Sequence, residues 1–184
     1  MRCKPENLHK VLDNADTFGI SLIMIDTAPH TDKDVLSAIR ASDLIVCPTQ
    51  ASLFDLASLE DTATLLDNAS VKGKAIVVVN SIPPGKSEAA TFEEAAAVVK
   101  TYGLPLCAKY VCHRRAFVTS TNEGKGVTES SSDKKASDEI KGLWLALTKL
   151  SPAVIARKPE LLPWIRAALT EVRVKTWFAH EFAG

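Results

Sequence analysis

Short apolar runs alternate with amphipathic stretches along the first 150 residues of the chain. Four runs have the length and composition of strands, and they cover residues 20–25, 44–47, 75–79 and 104–111. Hydrophobic residues follow one another in these runs without a polar alternation, which is typical of strands buried on both faces of a parallel sheet.

The stretches between these runs have the spacing of helices that bury one face. They predict helices over residues 6–18, 32–41, 52–68, 87–102, 113–122 and 133–150. The third of these opens with Ser52 three residues before Asp55, as in a capping box. Strands that alternate with helices predict an α/β fold, in which helices flank an open parallel sheet in three layers.

The character of the sequence changes after Leu150. Prolines interrupt the chain at positions 152, 159 and 163, and one amphipathic helix is indicated by Leu161, Ile165, Ala168 and Val172. We therefore predict an α/β domain over residues 1–150 and a helical C-terminal extension over residues 151–184.

The net charge and the distribution of apolar residues bear on nucleic-acid binding and on membrane insertion. Lysine and arginine together number 22, as do aspartate and glutamate, so the formal net charge is zero and nucleic-acid contact would need a local basic patch. No apolar signal core and no run of transmembrane length is present in the sequence, which predicts a cytoplasmic protein without a stable membrane span.

Polar residues that follow the apolar runs are the candidates for a binding site, because ligands of open parallel sheets bind beyond the carboxyl ends of the strands. Asp26 ends the first run, as the Walker B aspartate of a nucleotide-binding protein does, where it can bind a water on magnesium. The alternative is an aspartate that caps the next loop. Asn80 ends the third run, and residues 112–115 follow the fourth.

Several motifs between Leu8 and Leu150 together resemble the ParA/MinD family of partition ATPases, and they occur in the order and spacing of that family. The matching segments are Asp26-Thr27-Ala28-Pro29-His30, Ala41 to Pro48, Phe54-Asp55-Leu56, Val77-Val78-Val79-Asn80, His113 to Phe117, Gly124 to Glu129, and Ala136 to Ile140. The resemblance implies a P-loop NTPase-like fold. It also implies Mg²⁺-dependent ATP hydrolysis as the family activity, with a role in plasmid or chromosome segregation.

The resemblance also implies roles for individual residues. Asp26 and Thr27 would lie beside the nucleotide and its magnesium, and Asn80 and His113 would lie near the adenine base. Contacts to the phosphates of non-specific DNA would come from Arg114, Arg115 and Lys125. The alternatives are an Asx turn at Asn80 and a solvated helix face at the two arginines.

The partners that the resemblance implies are a second copy of the chain or a full-length ParA-like chain, a ParB-like partner protein, and DNA.

One family feature is missing from these residues. Relatives carry a strand and a glycine-rich loop with lysines before the Walker B strand, whereas only one predicted helix precedes the first run here. The expectation is a truncated copy with impaired ATP binding and hydrolysis, whose sheet has a gap or an unpaired edge beside the Asp26 strand. Gly85-Lys86-Ser87 has the letters of a phosphate loop, but Pro83 and Pro84 remove two backbone donors, so we interpret it as a turn whose Ser87 caps the next helix.

Two further hypotheses remain beside an ATPase domain. The chain could be a non-catalytic remnant that binds full-length partition proteins, or the product of a decayed gene.

Overall fold

The computed structural model describes residues 7–15, 17, 19–20, 22–27, 33–130 and 133–150. The predicted extension over residues 151–184 lies outside this range, so the domain boundary at residue 150 stays a prediction. In the described part of the chain, no helix is long and apolar enough to cross a membrane.

Helices and strands alternate as the sequence pattern predicts. The elements are α1 (Leu8–Ala15), α2 (Lys33–Ala41), β1 (Ile45–Gln50), α3 (Leu53–Ala57), α4 (Leu59–Asn68), β2 (Ala75–Asn80), α5 (Glu88–Thr101), α6 (Arg115–Asn122) and α7 (Lys134–Leu150). The helix predicted over 52–68 is divided in two at Ser58. The Ser58 hydroxyl donates to the carbonyl oxygen of Asp55 at 2.7 Å, which competes with continuation of the helix.

The sheet is parallel and centred on β2. β1 pairs with β2 over its whole length, with Ile45 opposite Ala75 and Gln50 opposite Asn80. β1 is longer than predicted, since it continues through Pro48 to Gln50. Proline has no N–H to donate and is tolerated in edge strands. Its presence agrees with the position of β1, which pairs with β2 alone among the described strands.

The run predicted as a strand over 104–111 lies along the other side of β2, in the parallel direction. The Val77 N–H donates to the Pro105 oxygen at 2.7 Å, and the Cys107 N–H donates to the Val77 oxygen at 2.8 Å. The pairing consists of two isolated bridges, Val77 with Leu106 and Ile82 with Cys112. Between them one chain advances five residues (82 − 77) and the other six (112 − 106). The extra residue breaks the regular ladder, as a bulge does.

The first apolar run does not form the predicted strand. The structure assigns no strand to residues 22–27, and the exposed fractions are 49% for Leu22 and 70% for Met24. The prediction of a buried strand over 20–25 is therefore wrong for these residues. An apolar run is buried as a strand only where neighbouring strands pair with its backbone and helices cover its side chains. The described residues 22–27 have no strand pairing.

Helices cover both faces of β2. Val77 and Val79, both fully buried, pack on one side with residues of α4 and α5 such as Leu66 and Val99. Ile76 and Val78 face the other side, where α7 packs against them. The described residues thus form an α/β fold in which a small parallel sheet lies between helices.

Candidate site at the carboxyl ends of the strands

The carboxyl ends of the parallel strands bring two of the predicted segments together. β2 ends at Asn80, and Cys112 pairs with Ile82 just beyond it. The His113 N–H donates to the Ile82 oxygen at 2.8 Å, which fixes the chain direction at this point. Asn80 and His113 therefore lie at one edge of the sheet, as the sequence predicts for residues that follow neighbouring runs.

Asn80 is part of a turn. Its side-chain oxygen accepts a hydrogen bond from the Ser81 N–H at 2.8 Å, and Ser81 has a φ of +56°. The side-chain oxygen of Asn80 thus forms the Asx turn that was the alternative to a contact with the base. The amide nitrogen of Asn80 makes no hydrogen bond within the described part of the chain, so its two donors can serve a ligand.

Arg114 lies in a different environment from the one predicted. It precedes α6 in extended conformation, with φ −128° and ψ 136°, so it is not on an exposed helix. Its Nε and Nη2 donate to Oε1 of Glu139 at 2.9 and 2.5 Å, and the two side chains are only 17% and 19% exposed. This hydrogen bond raises the pKa of Arg114. The guanidinium charge is paired inside the protein, which weakens the case for DNA contact by Arg114.

Arg115 and Lys125 lie at the surface. Arg115 is the exposed first residue of α6. Lys125 forms a loose ion pair with Glu123 at 3.5 Å, and the two side chains are 54% and 48% exposed. Both cations are accessible to a phosphate, and their contact with DNA stays a prediction.

A second carboxylate holds the same strand end from the opposite face of the sheet. Glu88, the first residue of α5, accepts a hydrogen bond from the Tyr110 hydroxyl at 3.0 Å, and this bond lowers the pKa of Glu88. Burial raises the pKa of the nearby Cys112 thiol to about 12. This thiol is inert near neutral pH.

The Gly85-Lys86-Ser87 segment is a turn, as interpreted from the sequence. The Gly85 N–H points at Oε2 of Glu88 at 3.4 Å, so a carboxylate lies where a phosphate loop would hold a phosphate. Ser87 is the N-cap residue of α5, but its hydroxyl makes no capping bond. That detail of the prediction is wrong, and Glu88 contacts the turn instead.

Asp26 and Thr27 are exposed at the end of the run that forms no strand. Within the described part of the chain, no hydrogen bond joins either residue to Asn80 or His113. The structure therefore brings together the residues predicted to contact the base, but does not attach the predicted metal-side residues to them.

The sequence reasoning missed the residues that hold this edge in place, namely Glu88, Tyr110 and Glu139. Glu139 is inside the quoted motif from Ala136 to Ile140, yet nothing in its spacing shows that it reaches a residue 25 positions earlier.

Comparison with known proteins finds distant similarity to a curated protein. No protein-family model matches the chain. The chain is 26% identical over 136 residues to "Maintenance of carboxysome distribution protein A" of Gloeobacter kilaueensis, a match that covers 68% of this chain and 62% of that protein. The chain thus spans less than two thirds of the relative's length.

Proposed function

We propose that this chain is a domain of the ParA/MinD type, from the class of ATPases that segregate plasmids or chromosomes or position large cargo. The observation that carries the proposal is the meeting of Asn80 and His113 at the carboxyl edge of a parallel sheet, within an ordered series of family-like motifs. The distant similarity to a protein named for carboxysome distribution supports this assignment.

The nucleotide contacts follow from this edge. Asn80 offers free amide donors, and the exposed His113 lies beside it, so both serve the adenine base. Asp26 and Thr27 would join the magnesium side only if their segment moves against the sheet. Phosphate binding is the weak element, because the single Gly-Lys-Ser segment of the 184 residues faces the Glu88 carboxylate. We therefore expect this chain to bind ATP weakly and not to hydrolyse it.

Partner binding is the second part of the proposal. Arg115 and Lys125 provide accessible positive charge for DNA phosphates, with Arg114 as a support that holds the helix start. A second copy, a full-length ParA-like chain and a ParB-like protein are the protein partners that the family resemblance suggests.

A non-catalytic binding module is the second candidate function, and the first turn of α3 favours it. Leu53 and Phe54 are 77% and 86% exposed. Ser52 holds this turn by accepting a hydrogen bond from the Asp55 N–H at 3.2 Å, so the two apolar side chains are presented on ordered backbone. Exposed aromatic and aliphatic side chains on a rigid turn are typical of anchors in protein interfaces.

Calorimetric titration of the folded chain with ATP and Mg²⁺ tests the proposal, with Asp26→Ala as the variant and Asp61→Ala on the exposed side of α4 as the control. We expect weak binding, no magnesium-dependent hydrolysis and no difference among the three proteins. Micromolar binding that only Asp26→Ala weakens, or magnesium-dependent hydrolysis above background, would contradict the proposal of impaired nucleotide binding and hydrolysis.

A further inference from the structure

Two helices on opposite faces of the sheet hold the strand end at residues 110–114. Glu88 at the start of α5 binds the Tyr110 hydroxyl, and Glu139 in α7 binds the backbone and side chain of the residues that follow. The segment is also tied to β2, because the Ile82 N–H donates to the Val111 oxygen at 3.1 Å. His113 is thus exposed on a segment that is fixed from three directions.

Glu139 uses both of its carboxylate oxygens in this arrangement. Oε2 accepts a hydrogen bond from the Cys112 N–H at 3.1 Å, and Oε1 accepts both bonds from the Arg114 guanidinium. Cys112 is 1% exposed, so in this arrangement its N–H is satisfied by the Glu139 carboxylate and not by water. Among the described residues, every hydrogen bond between α7 and this strand end involves Glu139.

The following two turns of α7 are anchored on the sheet and not on the strand end. Leu143 and Leu147 pack against the cluster of Ile76, Val78 and Cys107 on the sheet. An α-helix transmits displacement along its axis because its backbone is hydrogen-bonded throughout. A partner or variant that shifts α7 on the sheet will therefore act on the carboxylate one turn away from Leu143.

We infer that α7 controls the order of strand end 112–114 through Glu139, which makes Glu139 a positioning residue for the edge that carries His113. The role of that edge in base binding rests on the proposed function, whereas the mechanical coupling does not. Any ligand that orders residues 112–114 will then favour the docked position of α7, and a partner that displaces α7 will weaken that ligand.

Amide hydrogen exchange measured by NMR tests the coupling, with the Cys112 N–H compared with the Val77 N–H in the centre of the sheet. Glu139→Gln keeps the size of the side chain but supplies only one oxygen. When that oxygen faces Arg114, the amide NH₂ meets the Cys112 N–H, and two donors oppose each other. We expect exchange at Cys112 to rise about tenfold relative to Val77, the size of one hydrogen bond to a charged group. Asp138→Asn, on the exposed neighbour in α7, is the control and should change neither amide.

Leu147→Ala completes the experiment, because it loosens the anchored turns of α7 without touching the strand end. The inference predicts that this change raises exchange at Cys112 relative to Val77 in the natural chain, but adds nothing in the Glu139→Gln background. Equal acceleration at Cys112 and Val77 in Glu139→Gln would show a merely structural role and overturn the inference. An equal effect of Leu147→Ala in both backgrounds would overturn it as well. The ATP titration does not enter this result, so failure of the proposed function would be seen separately.

Discussion

Two runs of this chain have a similar apolar sequence pattern, but only one of them forms a buried strand. Residues 22–25 and residues 75–79 are both continuous apolar runs, and they end at Asp26 and Asn80 respectively. In the second run Val77 and Val79 are 0% exposed, whereas in the first run Met24 is 70% exposed. Hydrophobicity alone therefore does not make a strand.

The difference lies in what surrounds each run. β2 has β1 on one side, residues 105–113 on the other and helices over both faces. The described residues 22–27 have no such ladder. A backbone buried without partners leaves its N–H and C=O groups unsatisfied, which costs more than burying a few methyl groups gains. Among the described residues, strand pairing is therefore the feature that separates β2 from residues 22–27.

The largest effect should come from placing the same charge in both runs. Val77→Asp buries an unpaired carboxylate in the centre of the sheet, and we expect it to lower the free energy of unfolding by about 4 kcal/mol or to prevent folding. Met24→Asp should change it by less than about 0.5 kcal/mol, because the site is exposed. Urea denaturation measures both values. Similar losses in the two variants would mean that residues 22–25 are part of the core.

Thiol labelling gives the next contrast. Burial raises the pKa of Cys112 to about 12 and that of Cys47 to about 11, so at pH 8 almost none of either is thiolate. A cysteine introduced by Met24→Cys should react at the rate of a free thiol, at least about a thousandfold faster than Cys112. Mass spectrometry of peptides from iodoacetamide-treated native protein separates the sites. Rapid labelling of Cys112 would show that the strand end opens readily.

The ion pair that holds the strand end should matter less than the core, but more than a surface pair. Glu139→Ala leaves the mostly buried Arg114 without its partner, and we expect a loss of about 2 kcal/mol in the free energy of unfolding. Glu123→Ala removes the exposed pair with Lys125, and the loss should stay below about 0.5 kcal/mol. Thermal melts of the two variants give the comparison, and equal shifts would contradict it.

The sequence predicts the elements of this fold better than their environment. Helices α2, α5 and α7 and strand β2 lie within one or two residues of their predicted bounds, because periodicity reports which face of an element is buried. It does not report whether a neighbour exists, which is why the strand over 20–25 was predicted. Nor does it show which side chains meet across the fold, so the partner of Arg114 could not be found from the Arg114-Arg115 pair. The meeting of the Asn80 and His113 segments could be predicted because parallel strand ends lie at one edge of a sheet, whereas their contact with a base stays a prediction.

The smallest effect concerns pH. The hydrogen bond from Tyr110 lowers the pKa of Glu88 below its ordinary value of 4.5, so folding favours the charged carboxylate. This contribution to stability is complete above pH 4.5 and is lost as the pH falls through the lower pKa of the folded chain. Glu88→Gln should therefore make stability fall less steeply below about pH 5, as followed by urea denaturation at several pH values. A variant whose pH profile matches the natural chain would show that Glu88 contributes nothing here.

The most direct test of the account compares ATP with adenosine as ligands of the folded chain. If Asn80 and His113 offer contacts to the base while the Gly85 turn faces Glu88 and offers none to phosphate, the two ligands should bind weakly and with dissociation constants within about tenfold of each other. Calorimetry in the presence of Mg²⁺ gives both values. ATP binding that is about a thousandfold tighter than adenosine binding would show that the chain holds the phosphates after all, and would contradict the account.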